Sequence, residues 1–293
     1  FNEMYGWQQT DMSYVITIAG WISLIAVVLF GTLGRKIGAK MVSVIGLAGS
    51  AIGFAVLACA HTFELFAAGV VIFNFSMVAY ATIGVGLLGS SWFPRTKGAF
   101  MGIATMGMTI SSATLNPIIL GFAGSAFGIS GFFWAMAAIV AITAVVVFLF
   151  VKNNPEEAGA YPDNDQSVSR EELEAEFKAA LEYKKTSPWT TARVLKTPQT
   201  WLIGLGTGLP MMVGAGTIAL LVPTLASYGQ DPMFGVVLLS SMWPIGLLGH
   251  YLIGVLDQKL GTKKTTLIVI CVLGIGGLLV RLGGTNSVVC AVA

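Results

Sequence analysis

Charged residues are scarce in this chain, and their scarcity excludes an ordinary soluble domain. Of its 293 residues only 10% are Asp, Glu, Lys or Arg, against roughly 25% in an average soluble protein. Apolar residues make up 55%, and the mean hydropathy is +0.81. They form continuous runs of about twenty residues, the length with which a helix crosses a bilayer. Because the runs do not alternate with polar residues, helices rather than a barrel are expected to satisfy the backbone.

Groups that could perform chemistry are also few. The three cysteines, Cys59, Cys271 and Cys290, are too scattered for a metal spacing or a disulfide framework. The apolar runs contain no paired carboxylates, no nucleophile with its base and no Walker sequence, and the basic residues form no nucleic-acid patch. The sequence therefore predicts a protein that is not an enzyme and that uses no cofactor, no metal and no nucleic acid.

The apolar runs predict eight membrane spans, and a ninth begins after Gly284. The spans lie at 13–33, 40–60, 65–90, 97–122, 128–151, 199–227, 234–256 and 264–282. Alternate loops carry fifteen of the sixteen Lys and Arg residues, and only Arg281 falls on the other side. Because positive charges mark the cytoplasmic side, we expect a multi-pass protein of the plasma (inner) membrane with residue 1 outside.

One glycine-rich loop occurs twice. The first copy is Gly31–Lys40 (GTLGRKIGAK) and the second is Gly254–Lys263 (GVLDQKLGTK). The offset of 223 residues, 254 minus 31, also separates Tyr5-Gly6 from Tyr228-Gly229. Parallel repeats of apolar helices are typical of several transporters, so a solute carrier is the leading hypothesis.

A polar stretch with Asn-Pro, Tyr-Pro-Asp and Ser-Pro breaks separates the two halves. Within it, Ser169 and Glu172 form a capping-box pattern, and apolar residues recur every four positions, which predicts an amphipathic helix over 169–185. This helix either lies on the bilayer or the bundles, or offers a regulatory partner site. We expect an N-terminal helix bundle over 1–152, a cytoplasmic linker over 153–196 and a C-terminal bundle over 197–293.

The duplicated loop resembles the Gly-x-x-x-Asp-Arg-x-Gly-Arg loop of the major facilitator superfamily, with Arg35 and Gln258 at the aspartate position. The resemblance implies an all-α membrane protein with two pseudo-symmetric helix bundles. By this correspondence the chain holds about eight or nine of the family's twelve transmembrane helices, from the second to the start of the tenth. The implied gating-loop residues are Gly31, Arg35, Lys36, Gly38, Gly254, Asp257, Lys259 and Gly261, together with Arg95 and Lys97 between the fourth and fifth helices.

Two short stretches carry a narrower resemblance. Trp92–Gly98 (WFPRTKG) is similar to the Trp-Phe-Pro loop of organic-anion carriers, including the oxalate:formate antiporter and monocarboxylate groups, with Lys97 in place of an arginine. Residues 154–163 (NPEEAGAYPD) are similar to the start of the central loop in the oxalate:formate group. The resemblance implies a carrier of a mono- or dicarboxylate that works by alternating access, as an antiporter or a proton-coupled symporter. A neutral or amphiphilic solute, and a non-transporting sensor or scaffold with a carrier fold, are the alternatives.

His250 is the ionisable side chain, tyrosines aside, that lies well inside a predicted span. Measured from Gly254, it occupies the place where the anion-carrying relatives often hold a substrate-binding arginine. Imidazole titrates near pH 6.5, so His250 could bind an anion when protonated or carry a coupled proton; the alternative is a neutral histidine bonded between helices. Ser240, Trp243 and Leu247 share its helical face, and Trp243 could form a cavity wall.

Further candidate substrate-binding residues come from two other spans. Thr105, Thr109, Ser112 and Asn116 follow one face of the fifth helix and predict either a cavity lining or a close helix contact. Asn74 and Tyr80 lie near mid-depth of their span but about 120° apart around the helix. The glycine pairs Gly49/Gly53, Gly98/Gly102 and Gly204/Gly208 predict helix-contact faces.

Overall fold

The computed structural model describes residues 5–123, 127–165 and 191–283, together with residues 171, 172, 175, 178, 179, 182, 186 and 188. These residues are almost entirely helical and include no strand. The helices within the described ranges are α1 (Gln9–Ala58), α2 (Phe63–Val78), α3 (Val85–Trp92), α4 (Lys97–Ala123), α5 (Gly128–Phe150), α6 (Thr191–Lys196), α7 (Pro198–Ser227), α8 (Pro232–Ser241), α9 (Trp243–Leu260) and α10 (Thr262–Gly283). A π-helical stretch, Ala79–Gly84, joins α2 to α3.

Five helical stretches in the described residues are long and apolar enough to cross a membrane: Thr10–Ala58, Phe63–Trp92, Gly128–Phe150, Pro198–Ile218 and Thr262–Leu282. Large apolar side chains on them are exposed, such as Trp21 at 69% and Leu202 at 69%. An apolar surface of this extent is suited to lipid, while the helices satisfy their own backbone groups. The prediction of an all-helical, multi-pass membrane protein is confirmed.

The chain divides into two compact units. The first comprises residues 1–104 and 114–164, and the second comprises residues 105–113 and 165–293. The predicted amphipathic helix at 169–185 falls largely outside the described residues, including its apolar positions Leu173, Phe177 and Leu181. The boundaries expected for the bundles and the linker stay a prediction.

The first unit is built on a helical hairpin within α1. The helix breaks at Gly38, whose backbone has φ 85° and ψ 164°. Val15 and Ala19 pack with Leu57 in one cluster, whereas Phe30 packs with Val42 in another. The two halves of α1 are therefore antiparallel, and they correspond to the separate spans predicted at 13–33 and 40–60.

Glycines let α2 approach the second half of α1 closely. A Cβ atom at Gly53 would lie 2.8 Å from the backbone nitrogen of Phe73, and one at Gly46 would lie 2.7 Å from the carbonyl oxygen of Ser76. A Cβ at Gly49 would collide with the Ser76 hydroxyl. The predicted contact face at Gly49 and Gly53 is confirmed.

The glycine pair in α7 behaves differently. Nothing in the described structure lies within 4 Å of a Cβ built at Gly204 or Gly208. The helix-contact face expected at this pair therefore stays a prediction. A glycine spacing permits close packing but does not supply the neighbouring helix.

We expect Gly53→Val to destabilise the first unit, because the new side chain would meet the Phe73 backbone and cannot be accommodated by rotation of a side chain. Overpacking of this kind costs about 1–3 kcal/mol. Thermal unfolding in detergent measures the effect. Gly20→Val in the same helix is the control, since nothing in the described structure lies within 4 Å of a Cβ there; equal melting temperatures for the two variants would contradict the packing account.

The two sequence copies adopt the same backbone geometry. Gly38 has φ 85° and ψ 164°, and Gly261, at the equivalent place between α9 and α10, has φ 81° and ψ 155°. The Tyr-Gly pair repeats as well, with φ 70° at Gly6 and φ 79° at Gly229. Positive φ is readily available to glycine and strained for other residues, which explains why each copy of the repeat has glycine there.

The second unit contains a break that the predicted span at 234–256 did not include. The span is divided at Met242 into α8 and α9, and Pro244 stands at the start of α9, where its missing N–H is tolerated. Leu225 and Leu238 form the buried core that joins α7 to α8. The break places Trp243 at the first residue of α9, two turns before His250.

Candidate functional site

His250 contacts a threonine from the predicted polar stripe on α4. Its Nδ1 atom lies 3.1 Å from the hydroxyl oxygen of Thr105, 145 positions away in sequence. Both side chains are half-buried and both belong to the second unit. The structure therefore brings together two candidates that the sequence placed on separate spans.

A second contact lies one turn along the same two helices. A Cβ atom at Gly246 would lie 2.9 Å from the Cγ2 atom of Thr109. Since Thr105 meets His250 and Thr109 meets Gly246, the central part of α4 runs antiparallel to α9 there. The small size of Gly246 lets the helices come close enough for the Thr105 hydroxyl to reach the imidazole.

The structure describes only some of the other side chains on the predicted faces around His250 and Thr105. Trp243 is 45% exposed and lies on the same face of α9 as His250, seven residues away, and Leu247 is half-buried. Ser112 and Asn116 continue α4, and Ser240 lies near the end of α8, but their side chains are outside the described residues. The described polar stripe therefore consists of Thr105 and Thr109.

Asn74 and Tyr80 belong to the first unit. The Asn74 amide nitrogen donates to the carbonyl oxygen of Val70 in its own helix, at 2.9 Å. Tyr80 lies in the π-helical stretch, and its ring packs on the second half of α1, where a Cβ at Gly46 would be 3.3 Å from Cδ1. π-helical segments often occur at functional sites, which keeps Tyr80 a candidate.

The predicted gating loops are short helix junctions. In the first copy the chain turns at Gly38, with Arg35 and Lys36 exposed and Gly31 half-buried. In the second copy Gly254 is buried, Lys259 is exposed, and the carbonyl oxygen of Asp257 accepts the N–H of Gly261 at 3.0 Å. The turn therefore occupies one residue, Gly38 or Gly261, rather than the ten-residue loop that the sequence repeat delimits.

The junction between α3 and α4 is held by a residue that the sequence analysis did not select. The Asp163 carboxylate accepts the N–H groups of Arg95 and Thr96 at 2.9 and 3.0 Å, and also the Thr96 hydroxyl. Lys97 donates to the Ser90 hydroxyl at 2.7 Å. The two stretches that carry the narrower resemblance, Trp92–Gly98 and residues 154–163, are thus in contact. The Asn-Pro and Tyr-Pro-Asp breaks predicted a linker there but did not indicate which residues it contacts.

A family model described as Major Facilitator Superfamily matches residues 1–293. The chain belongs to the major facilitator superfamily. It is therefore a secondary transporter, a multi-pass membrane protein that binds a small-molecule solute within the bilayer. No curated protein matches the sequence.

Within this major facilitator transporter, the His250–Thr105 pair can serve two protonation states. A neutral imidazole whose Nδ1 is unprotonated accepts the Thr105 hydroxyl proton, while a protonated imidazole donates from Nδ1 and the hydroxyl oxygen accepts. A hydroxyl group can act as donor or as acceptor, so the chemistry of the pair allows both arrangements. In the described part of the chain no group of three or more His, Cys, Asp or Glu side chains could hold a metal ion.

Proposed function

We propose that this transporter carries a small organic anion, a mono- or dicarboxylate, by alternating access, as an antiporter or a proton-coupled symporter. We place His250 and Thr105 at the solute site. The observation that carries the proposal is the 3.1 Å contact between His250 Nδ1 and the Thr105 hydroxyl. It joins an ionisable group of the predicted span at 234–256 to a polar group on another helix.

The cost of charge within a bilayer supports a functional role for His250. Ionisable side chains inside membrane spans are rare, and they usually face protein or a water-filled cavity and mark a substrate or proton path. A protonated imidazole attracts a carboxylate strongly where the dielectric constant is low. Histidine is a common proton carrier in proteins, which suits symport.

The remaining candidates extend this proposed site. Trp243 supplies an apolar wall one turn from Gly246, and Thr109 adds a second hydroxyl. Ser112, Asn116 and Ser240 follow the same polar faces in the sequence, and Asn74 and Tyr80 of the first unit remain separate substrate-binding candidates. The short junctions at Gly38, Gly261 and Arg95–Lys97 act as gating loops on the cytoplasmic side of the plasma (inner) membrane, with residue 1 outside and residues 153–196 cytoplasmic.

Counterflow in liposomes tests the proposal. The purified protein is reconstituted into vesicles preloaded with oxalate, formate or lactate, and uptake of the same labelled anion is measured. Saturable, protein-dependent counterflow of at least one anion is the expected result. Counterflow of neutral solutes alone would replace the anion proposal with the neutral-solute alternative, and the absence of any flux from folded protein would favour a sensor.

A further inference from the structure

A short segment of the first unit contacts two helix junctions. Residues 152–164, here called the strap, follow α5 and contain two 3-10 turns, Pro155–Ala158 and Pro162–Asn164. One end of the strap meets the break in α1 at Gly38, and the other end meets the junction between α3 and α4. The strap therefore contacts both junctions and continues directly from the end of α5.

Asn153 forms the contact at the break in α1. Its side-chain carbonyl oxygen accepts the N–H of Lys40 at 2.9 Å, and a Cβ atom at Gly38 would lie 2.6 Å from the same oxygen. The first N–H groups of a helix have no partner within it, so Asn153 caps the second half of α1. Asn153 is itself fixed, because its N–H donates to a Glu157 carboxylate oxygen at 3.2 Å.

Asp163 forms the contact at the junction between α3 and α4. Its two carboxylate oxygens accept three hydrogen bonds from Arg95 and Thr96, directly before α4 begins. A negative charge at this place is also favoured by the dipole of α4. The indole N–H of Trp92 adds a bond to the carbonyl oxygen of Lys152, at 3.2 Å. Three helix ends are thus linked to one segment.

We propose that Asn153 and Asp163 are positioning residues of the transport cycle. Through the hydrogen bonds of these two residues, the strap links the break at Gly38 and the junction at Arg95 and Thr96 to the end of α5. The ends of these helices then move as one body when the bundle changes its orientation. This inference goes beyond the proposed function and does not depend on which solute is carried.

The Asp163 carboxylate stays charged over the physiological pH range, so its contacts with Arg95 and Thr96 persist there. Burial raises the pKa of Asp163. The hydrogen bonds from the Thr96 hydroxyl and the two N–H groups, with the positive charge of Arg95, together lower the pKa by more than burial raises it, so it lies below its ordinary value of 3.8. The contribution of a carboxylate with a lowered pKa is present above 3.8 and is lost as the pH falls through the folded-state pKa. The strap therefore acts as a constant link and not as a switch at neutral pH.

Hydrogen–deuterium exchange of the protein in nanodiscs tests whether the strap links the two junctions. In Asp163→Ala we expect the amides of Arg95 and Thr96 to exchange about tenfold faster or more, because they lose a charged acceptor. If the strap links the two junctions, exchange should also be faster at Lys40, although its own partner Asn153 is unchanged. In Asn153→Ala we expect the reciprocal effect, faster exchange at Thr96, although its own acceptor Asp163 is unchanged. Glu171→Ala, at an exposed acidic residue, is the matched control.

Transport kinetics give the functional result. We expect Asp163→Ala to lower the turnover number severalfold at an unchanged KM, since the solute site is intact. Asp163→Asn, which keeps an acceptor oxygen for Thr96, should recover part of the turnover and serves as the test variant if Asp163→Ala does not fold. Faster exchange confined to Arg95 and Thr96, or wild-type turnover in both variants, would overturn the proposal and leave Asp163 with a local capping role.

Discussion

His250→Ala is expected to remove the pH dependence of transport and to weaken anion binding at acid pH by about ten- to hundredfold. A hydrogen bond to a charged group contributes about 1.5–3 kcal/mol, and every 1.4 kcal/mol corresponds to about a tenfold change in affinity. The measurement is uptake into proteoliposomes between about pH 5 and 8, the range in which imidazole groups titrate. Without the imidazole, the rate should be nearly constant over this range.

His61→Ala is the matched control for this variant. His61 is the other histidine of the chain; it is exposed, and its Nδ1 lies 3.1 Å from the Tyr5 hydroxyl in the first unit. The control should keep the wild-type pH profile. A pH dependence retained in His250→Ala would exclude His250 as the coupling group, and unchanged affinity at acid pH would exclude it from the anion site.

Gly246→Val is expected to impair transport, as His250→Ala does, without replacing any group that could bind the solute. The first added carbon would already lie 2.9 Å from the Thr109 methyl group, and threonine, being β-branched, has little freedom to rotate away. The helices must separate, and a small separation lengthens the 3.1 Å bond between Thr105 and His250 beyond hydrogen-bonding distance. We expect a loss of about tenfold in transport efficiency, corresponding to an overpacking cost of about 1–3 kcal/mol.

Gly249→Val tests whether this effect is local to the contact. Gly249 lies three residues along the same helix, and nothing in the described structure is within 4 Å of a Cβ there. The variant should transport with the wild-type pH profile. If both glycine variants are equally impaired, the defect comes from helix α9 in general; if neither is impaired, the Thr109–Gly246 contact does not position His250.

The helical spans were predictable because they follow from the sequence itself. The eight complete predicted spans fall on described helical stretches, except that the one at 234–256 is divided at Met242, and the break between 13–33 and 40–60 is the turn at Gly38. The equal offsets of Gly38 and Gly261 predicted two copies of one turn, and their φ angles of 85° and 81° agree. A glycine with positive φ is a local property, so a repeated glycine can predict a repeated turn.

Features that depend on a second segment were not predictable. The π-helical stretch at Ala79–Gly84 lies inside an uninterrupted apolar run, and the division at Met242 lies inside another. Asn153 and Asp163 are ordinary polar residues of a linker until their acceptor oxygens are seen beside Lys40 and Thr96. Gly204 and Gly208 have the glycine spacing of a contact face, but no described neighbour lies within 4 Å of a Cβ built at either.

The sequence alone determined the membrane class, the helical spans and the duplicated turn, because hydrophobic length and glycine spacing act within a few residues along the chain. It also selected His250 and Thr105 as separate candidates. Only the tertiary structure decided that they meet, since the contact between them spans 145 positions and depends on the closeness of two helices at Gly246. The strap is decided in the same way. Its bonds to Lys40, Arg95 and Thr96 join linker residues to distant helix ends, and such pairings leave no periodic signal in the sequence.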